Sequence, residues 1–348
     1  MKKSFFPSLK RLLKRASALL LLLLPALAGC GKAEPYVQTG FAFDTVVSIT
    51  YYDEKDAAAA AKVMERLDHY EKIFSRTLEG SELYGVNARL AEAASEGVYD
   101  VRVPLSNELY QALYFALEYA EITDGAFDPT LGKLLELYDF SGTEHTVPSA
   151  KVREEILSHC GWQKLKLSAS GETAYPYQLT VADPGIVIDL GGMAKGYTAD
   201  CLKQELRAEN VSSAIINLGG NILVLGSKPG GKPYKVGVTE PVSGSSKYLT
   251  TFSISDASAV TSGSYQGSFE QDGVTYHHIL DPATGLPADS GLKSVTVVAG
   301  RAVVADILST ALFVMGEDKA IEFYLENCTN IDLYFVDKDG ILDEILHE

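Results

Sequence analysis

The alternation of hydrophobic and polar residues predicts a mixture of strands and helices along the chain. Alternating or β-branched runs predict strands at 41–52, 184–188, 233–239, 247–256, 258–262, 292–299, 331–336 and 341–346. Hairpins are predicted at 164–181 and at 214–225, where two strands meet at a Gly-Gly turn. Helices are predicted at 56–74, 106–123, 151–160, 197–209, 301–315 and 319–326, and a loop or short turn at 81–87. The pattern therefore predicts an α+β fold with mixed, largely antiparallel sheets and packed helices.

The first 29 residues have the layout of a secretory signal, with a basic start, an apolar run and small residues at the end. The apolar run is shorter than the about 20 residues that a transmembrane helix needs. Leu27 and the small residues Ala28 and Gly29 precede Cys30, an order that resembles a bacterial lipobox. We therefore expect Cys30 to be lipidated and to anchor the mature chain to the cell membrane, facing the extracytoplasmic side. An ordinary signal peptide with an incidental cysteine is the alternative. With Cys30 as the first residue of the mature chain, residues 30–40 are predicted to be a tether. Residues 41–348 are predicted to form a single domain.

Composition narrows the class of protein further. The 348 residues carry a formal net charge of −16, and residues 1–29 hold six basic and no acidic side chains, so the remaining 319 residues carry −22. Such an acidic body argues against nucleic acid or anionic lipid as a partner. The cysteines beyond Cys30 are Cys160, Cys201 and Cys328, whose spacing predicts neither a zinc site nor a disulfide framework.

The stretch 189–196, Asp-Leu-Gly-Gly-Met-Ala-Lys-Gly, joins a predicted strand to a predicted helix. Gly191 and Gly192 permit positive φ angles and the close approach of a ligand. The free N–H groups of a helix start, together with Lys195, can bind an anion. Asp189 can hold a ligand hydroxyl or ring N–H. A tight turn with a surface lysine is the alternative, since no standard nucleotide-binding fingerprint is present.

Asp306 and Thr310 stand four residues apart in an otherwise apolar predicted helix. At this spacing their oxygens project from one face of the helix, one turn apart. A carboxylate in such surroundings is costly unless something satisfies it. Mg²⁺ would do so, because it takes carboxylate, hydroxyl and carbonyl oxygens together with substrate phosphates. An ordinary Asp–Thr hydrogen bond on a half-exposed helix is the alternative.

The loop 123–130 contains two turn dipeptides, Asp124-Gly125 and Asp128-Pro129, on either side of Phe127. We expect Phe127 to be exposed in this loop. The loop either connects two helices or presents the aromatic ring to a flat ligand ring.

Histidines and hydroxyls near the carboxyl-terminal third complete the candidate residues. His277 and His278 are neighbours in an extended segment, so only one of them should reach any site. Thr261, Ser262 and Gly263 could contact a phosphate through hydroxyls and backbone, although turn formation explains them equally well.

Together these motifs resemble the ApbE-type FAD:protein FMN transferases. The resemblance covers nearly the whole mature chain, from about residue 43 to residue 315, and rests on six motifs in the same order. They are Phe74-Ser75-Arg76 with Ser81-Glu82, the segment 124–128, the segment 189–196, Thr261-Ser262-Gly263, the segment 278–282 with Thr284-Gly285, and Ala305-Asp306 followed by Thr310. Each motif alone is weak, and their common order is what identifies the family.

The resemblance implies a set of site residues. Those implied for FAD binding are Phe43, Thr77, Ala126, Phe127, Asp128, Asp189, Lys195, Thr261, Ser262, Gly263, His278 and Ile279. Those implied for Mg²⁺ are Asp306, Thr310 and a backbone oxygen near Gly192. Phe43 stands where the family commonly has Met, and Thr77 where it often has Tyr. These two departures bear on the fine shape of the flavin or adenine pocket.

The resemblance also implies a reaction: FMN passes from FAD to a Thr or Ser hydroxyl of an extracytoplasmic acceptor protein through a phosphodiester bond, and AMP is released. Splitting a pyrophosphate requires stabilised charge on oxygen, which a metal and a lysine supply. The incoming hydroxyl needs a base, for which His278 or Asp281 is available. The alternatives are a Mg²⁺-dependent FAD pyrophosphatase, with water in place of the hydroxyl, and a non-catalytic flavin-binding lipoprotein.

Overall fold

Strands of one large antiparallel sheet form the centre of the fold. The structure is a computed structural model that describes residues 34–140, 142, 144–171 and 175–347. The strands in this part of the chain are β1 (Tyr36–Ala42), β2 (Thr45–Tyr51), β3 (Val101–Leu105), β4 (Leu165–Ala169), β5 (Tyr177–Val181), β6 (Ser213–Leu218), β7 (Asn221–Gly226), β8 (Tyr234–Thr239), β9 (Tyr248–Ile254), β10 (Ser258–Gly263), β11 (Ser268–Gln271), β12 (Val274–His277), β13 (Leu292–Ala299), β14 (Asp332–Asp337) and β15 (Leu342–Ile345). The large sheet has the order β1-β2-β6-β7-β10-β13-β14-β15, and its neighbours are antiparallel. A three-stranded sheet, β3-β5-β4, and the hairpins β8–β9 and β11–β12 accompany it. This arrangement confirms the predicted α+β class with largely antiparallel sheets.

Six of the eight α-helices in the described residues lie close to predicted positions. The eight are α1 (Ala57–Phe74), α2 (Glu82–Glu96), α3 (Asn107–Ile122), α4 (Gly132–Tyr138), α5 (Ala150–His159), α6 (Ala194–Ala208), α7 (Ala302–Met315) and α8 (Glu317–Asn327). Of these, α2 and α4 were not predicted as helices. Ser106 caps α3, because its side chain accepts a hydrogen bond from the backbone N–H of Leu109. Short 3₁₀ turns cover Glu54–Asp56 and Trp162–Lys164.

Alternate residues of the large sheet are buried on its two faces. On one face, Ile49 and Ile216 share a hydrophobic cluster with residues of α1 and α6, and Val297 shares a second cluster with residues of α7 and α8. On the other face, Val224 and Ala259 pack with residues of the β8–β9 hairpin. The sheet therefore separates a layer of helices from a layer formed by this hairpin.

The single strand predicted at 41–52 is wrong, because this segment holds a hairpin turn. Phe43 and Asp44 have φ angles of 53° and 57°, as in the two-residue turns that suit the twist of paired strands. β1 and β2 then pair from Tyr36–Tyr51 to Ala42–Thr45. Because β1 begins at Tyr36, the predicted tether is also wrong for residues 36–40.

The loop predicted at 81–87 is wrong as well, since α2 begins there. The Ser81 side chain accepts a hydrogen bond from the backbone N–H of Tyr84 and so caps the helix. Leu83, Val86 and Leu90 form its buried stripe, which continues past Gly85.

The strand predicted at 184–188 is replaced by a turn at Pro184-Gly185 and a short segment outside any sheet. Its only ladder contact among the described residues is a single bridge between Val187 and Leu131. The Asn87 side chain bonds both the N–H and the carbonyl of Ile188, at 2.8 and 2.9 Å. A side-chain amide thus takes the place of a neighbouring strand, which explains strand-like burial without strand pairing.

The predicted signal at 1–29 and Cys30 lie outside the described residues. Within the part of the chain that the structure describes, no helix combines the length and the apolar character needed to cross a membrane.

Helices α6 and α7 touch at Gly196. A Cβ atom at this position would lie 2.4 Å from the Ala302 carbonyl oxygen and 2.7 Å from the Asp306 Cβ. The Gly196 N–H donates to Asp306 Oδ2 at 2.8 Å. One turn later, Asp200 accepts from the N–H groups of Ala302 and Val303 at 2.8 and 3.2 Å. Each helix therefore satisfies polar groups of the other.

We expect Gly196→Ala to destabilise the protein by about 1–3 kcal/mol, the usual cost of forcing extra volume into a packed contact. The methyl group would meet backbone atoms of α7, which cannot move aside as a flexible side chain could. The measurement is urea unfolding of the purified protein. Gly85→Ala in α2 is the matched control, because no atom lies within 4 Å of its added Cβ, and it should be neutral or stabilising. Equal unfolding midpoints for Gly196→Ala and the wild type would contradict a tight contact.

Candidate active site

The turn that leads into α6 is held by an ion pair between Asp189 and Arg76. Asp189 Oδ1 accepts from the Gly191 N–H, and Oδ2 accepts from Arg76 Nε, both at 2.8 Å. The Arg76 and Asp189 side chains are only 15% and 19% exposed, so solvent screens this pair less than a surface bridge. Arg76 was part of a sequence motif, but nothing in the sequence singled it out as the partner of Asp189.

Lys195 brings a positive charge to the start of α6. Its Nζ donates to the Gly191 carbonyl at 3.4 Å, and no carboxylate oxygen of the described residues lies within 4 Å of it. The amino-terminal end of a helix is itself a positive pole. Lys195 and the helix end thus lie together, and the anion site at this position stays a prediction.

Asp306 is a buried carboxylate without an ion-pair partner. It is 4% exposed, and no Lys, Arg or His nitrogen of the described residues lies within 4 Å of its oxygens. Its Oδ2 accepts from the Gly196 N–H, whereas no described residue bonds Oδ1. The Thr310 hydroxyl lies 3.3 Å from the Asp306 backbone carbonyl oxygen and 3.3 Å from Ser262 Oγ. The alternative of a half-exposed helix is therefore wrong, because α7 is largely buried. The ordinary Asp–Thr hydrogen bond of that alternative is present, but it joins the Thr310 hydroxyl to the Asp306 backbone and leaves the carboxylate out.

The atoms around Asp306 are oxygens, the type of ligand that a hard cation prefers. They are few, so such a cation would need further ligands from a bound phosphate compound or from water. A Cβ at Gly192 would lie 3.5 Å from Thr310 Oγ1, so the backbone of Gly192 adjoins the hydroxyl. The described residues hold no group of three or more His, Cys, Asp or Glu side chains that could bind a metal ion. One carboxylate, one hydroxyl and backbone oxygen suit Mg²⁺ only if phosphates and water supply further ligands.

The loop 123–130 turns its aromatic ring inward. Phe127 is 5% exposed, and its Cε2 would lie 3.1 Å from a Cβ at Gly192. The expectation of an exposed ring is wrong, because the loop folds back where the Phe127 N–H donates to Thr123 Oγ1. Asp128 holds the loop from within, accepting from the Thr130 N–H and hydroxyl and from the Trp162 N–H. Burial raises the pKa of Asp128.

His277 and His278 point to opposite sides, as their extended segment predicts. His277 is buried edge-on against Phe313, with ring centroids 5.6 Å apart, and burial lowers the pKa of His277 to about 4. His278 faces the cavity, and its Nδ1 lies 3.1 Å from the Gln266 carbonyl oxygen. Because a carbonyl only accepts, Nδ1 carries the proton and Nε2 is left as an acceptor.

The charge state of His278 follows from its surroundings. Partial exclusion of water by the surrounding protein lowers the pKa of His278, and the positive charge of Lys195 lowers it further. The imidazole is therefore neutral near pH 7 and can accept a proton. Asp281, the other predicted base, accepts from the Ala283 N–H and the Thr284 hydroxyl and does not line the cavity.

These elements enclose a cavity of about 320 Å³, which we call the donor cavity. The predicted site residues that line it are Ala126, Phe127, Asp128, Asp189, Gly192, Lys195, Thr261, Ser262, Gly263, His278, Ile279, Asp306 and Thr310. Asn221 and Gln266 also line it and were not predicted. Asn221 follows the predicted Gly-Gly turn, which was a usable signal, whereas nothing in the sequence distinguishes Gln266.

Phe43 and Thr77 lie in a neighbouring recess of about 170 Å³ and not in the donor cavity. The recess shares Asp189, Gly191 and Lys195 with the donor cavity. The two spaces therefore meet at the charged turn before α6. Such an arrangement fits an elongated ligand with two lobes and a negatively charged centre.

The chain is similar in sequence to proteins of known activity. The pattern that defines the ApbE family matches residues 43–335. A protein of Treponema pallidum named FAD:protein FMN transferase is 32% identical over 348 residues, which cover 94% of each chain. A protein of Klebsiella pneumoniae with the same name is 32% identical over 284 residues, covering 82% of this chain and 84% of the relative.

The fold is also similar to solved structures. An ApbE protein of Thermotoga maritima superposes with a TM-score of 0.78 at 32% identity, covering 89% of this chain and 96% of that chain. The flavin transferase ApbE of Vibrio cholerae superposes with a TM-score of 0.77 at 24% identity, covering 91% and 98%. The second likeness bears on the fold alone.

Proposed function

The chain belongs to the ApbE family and is an FAD:protein FMN transferase, and we propose that it works with Mg²⁺ on an extracytoplasmic acceptor protein. The acceptor's Thr or Ser hydroxyl oxygen forms a phosphodiester bond to the phosphorus of FMN. The bond from that phosphorus to the AMP oxygen breaks, and AMP leaves. The observation that carries the proposal is the buried Asp306 carboxylate, with a free oxygen, in the same cavity as the unpaired Lys195.

The two joined spaces support the placement of FAD. Phe127 provides an apolar wall for a flavin ring in the donor cavity, and the recess at Phe43 and Thr77 receives the AMP portion. The pyrophosphate between them then lies at Lys195 and the amino-terminal end of α6, where the positive pole of the helix favours an anion.

Asp306, Thr310 and a backbone oxygen near Gly192 would hold Mg²⁺. The fit rests on the Asp306 carboxylate, which is buried, has no cationic partner among the described residues and keeps Oδ1 without a hydrogen bond. When bound, the ion supplies charge neutralisation for the phosphate oxygens. Lys195 adds a second positive charge to the same group, and the cavity walls limit access of water.

His278 is the group that takes the proton from the attacking hydroxyl. Its Nδ1 is held by the Gln266 carbonyl, so that Nε2 is free to accept. Asp281 was the other candidate, but its carboxylate is engaged in closing its own turn.

The rate should depend on pH through His278. Since its pKa is lowered from 6.5, kcat/KM should be constant around neutral pH and fall as the pH drops below the ordinary range of histidine. His278→Gln should lose about 10²–10⁴-fold in rate, the usual contribution of a general base, together with this acid limb. The measurement is the initial rate of acceptor labelling between pH 5 and 8. An acid limb that persists in the variant would assign the proton transfer to another group.

Asp306→Asn should leave folding intact and lower turnover by about 100-fold or more, because phosphoryl transfer depends mainly on charge neutralisation and positioning. Thr310→Val should be milder, and added Mg²⁺ should partly restore both variants. The measurement is turnover against Mg²⁺ concentration, with the melting temperature recorded in parallel.

Asp200→Asn is the matched control for Asp306→Asn. Asp200 is also buried on the contact between α6 and α7, but its oxygens cap α7 and face Arg301 at 3.4 Å. This variant should lose stability and keep its Mg²⁺ dependence. If Asp306→Asn instead behaves like this control, with normal turnover and a lower melting temperature, Asp306 is not a metal ligand.

We also propose that Cys30 carries a lipid that tethers the enzyme to the extracytoplasmic side of the cell membrane. The support is the sequence alone, since Cys30 lies outside the described residues. Cys30→Ala should release the protein from the membrane fraction or leave the precursor uncleaved. Fractionation and intact-mass measurement test this, and a processed, lipid-bearing Cys30→Ala protein would contradict it.

A further inference from the structure

A second cavity, of about 480 Å³, lies on the face of the large sheet opposite α6 and α7. Its floor is formed by sheet residues that alternate with the buried helix-facing ones. It includes polar side chains, among them Ser48, Thr50 and Asn217, and apolar ones such as Ile215 and Ile222. Residues of the β8–β9 hairpin form a wall, including Val236 and Tyr248. We call this space the hairpin groove.

The hairpin groove opens towards the donor cavity. Thr261 and Gln266 line both spaces. Thr261 Oγ1 lies 2.8 Å from Thr296 Oγ1 on the groove floor. The carbonyl of Gln266 is the group that holds His278 Nδ1. The groove therefore ends beside the proposed base.

The groove and the AMP recess reach the donor cavity at different residues. The recess shares Asp189, Gly191 and Lys195 with the donor cavity, whereas the groove shares Thr261 and Gln266, and no residue lines both the recess and the groove. In phosphoryl transfer the attacking and leaving oxygens lie roughly in line, on opposite sides of the phosphorus. A nucleophile arriving from the groove would enter by a different route from the one by which AMP leaves, as this geometry requires.

We propose that the hairpin groove binds the segment of the acceptor protein that carries the FMN-accepting hydroxyl, an inference that rests on the proposed function. FAD takes up the donor cavity and the recess, so the acceptor needs a separate approach to the phosphorus. From the groove, its hydroxyl oxygen bonds to phosphorus as the bond to AMP breaks, and its proton passes to His278 Nε2.

The chemistry of the lining suits a polypeptide. Hydroxyl and amide side chains of the floor can hydrogen-bond backbone groups of an extended segment. Tyr248, which is 61% exposed, offers the kind of aromatic contact that is common at protein interfaces. Lys235 is the charged residue among the lining residues that the structure describes. The groove thus favours a neutral or acidic acceptor segment over a basic one.

The test is the KM for the acceptor, measured with a purified extracytoplasmic flavoprotein domain that the wild type labels with FMN. Thr50→Trp places a large ring in the groove, and Tyr248→Ala removes part of its wall. Each should raise the KM for the acceptor by about tenfold or more, the scale of a lost interface anchor. The affinity for FAD should stay within about twofold of the wild type, since neither residue lines the donor cavity.

Matched controls carry the same substitutions elsewhere on the surface. Thr329→Trp and Tyr99→Ala change exposed residues that do not line the groove, and they should keep the wild-type KM. If Thr50→Trp fails to fold, Tyr248→Ala carries the test, because its side chain is largely exposed. If the groove variants keep the wild-type KM for the acceptor, the acceptor does not bind in the hairpin groove. The proposed transferase reaction would be unaffected by that result. A wild type that labels no acceptor would overturn the proposed function and the groove with it.

Discussion

The contact between α6 and α7 at Gly196 is the constraint on which the site depends. Without a Cβ at this position, the two helices approach closely enough for the Gly196 N–H to donate to the Asp306 carboxylate. Asp200, one turn along α6, caps the first turn of α7 in return. Because Lys195 lies in the first turn of α6 and α7 carries Asp306 and Thr310, one packing contact brings the cationic and the anionic sides of the site together. The close contact at Gly196 therefore both stabilises the helix pair and fixes the positions of the site residues.

Two buried carboxylates, Asp200 and Asp306, and the half-buried Asp128 show how surroundings separate structural from functional roles. Asp128 has a structural role, because its oxygens accept three hydrogen bonds, two from Thr130 and one from the Trp162 N–H. Asp200 caps α7 and faces Arg301. Asp306 accepts one hydrogen bond through Oδ2, and its Oδ1 has no hydrogen-bond partner among the described residues. Burial of a carboxylate without compensation is costly, so this open oxygen, more than burial itself, distinguishes the candidate metal ligand.

Much of the fold was predictable from the sequence, because long periodic runs such as 56–74 and 301–315 carry strong local signals. The failures have physical causes that no local pattern records. Phe43 adopts a positive φ although it is not glycine, and the Asn87 side chain substitutes for a strand beside Ile188. Within the site, ordered motifs identified Lys195 and Asp306. The ion pair of Arg76 with Asp189 and the bond of Gln266 to His278 depend on contacts between distant elements, so the sequence could not reveal them.

The most direct test of the transferase mechanism weighs the products of a single reaction. The mature protein is mixed with FAD, Mg²⁺ and a candidate acceptor domain, and the acceptor is analysed by intact-mass spectrometry while AMP is quantified. We predict that the acceptor gains one FMN, less one water, and that one AMP appears for each acceptor labelled. Accumulation of AMP and free FMN with an acceptor of unchanged mass would show a pyrophosphatase instead. Bound FAD with no release of AMP would show a protein that only binds flavin.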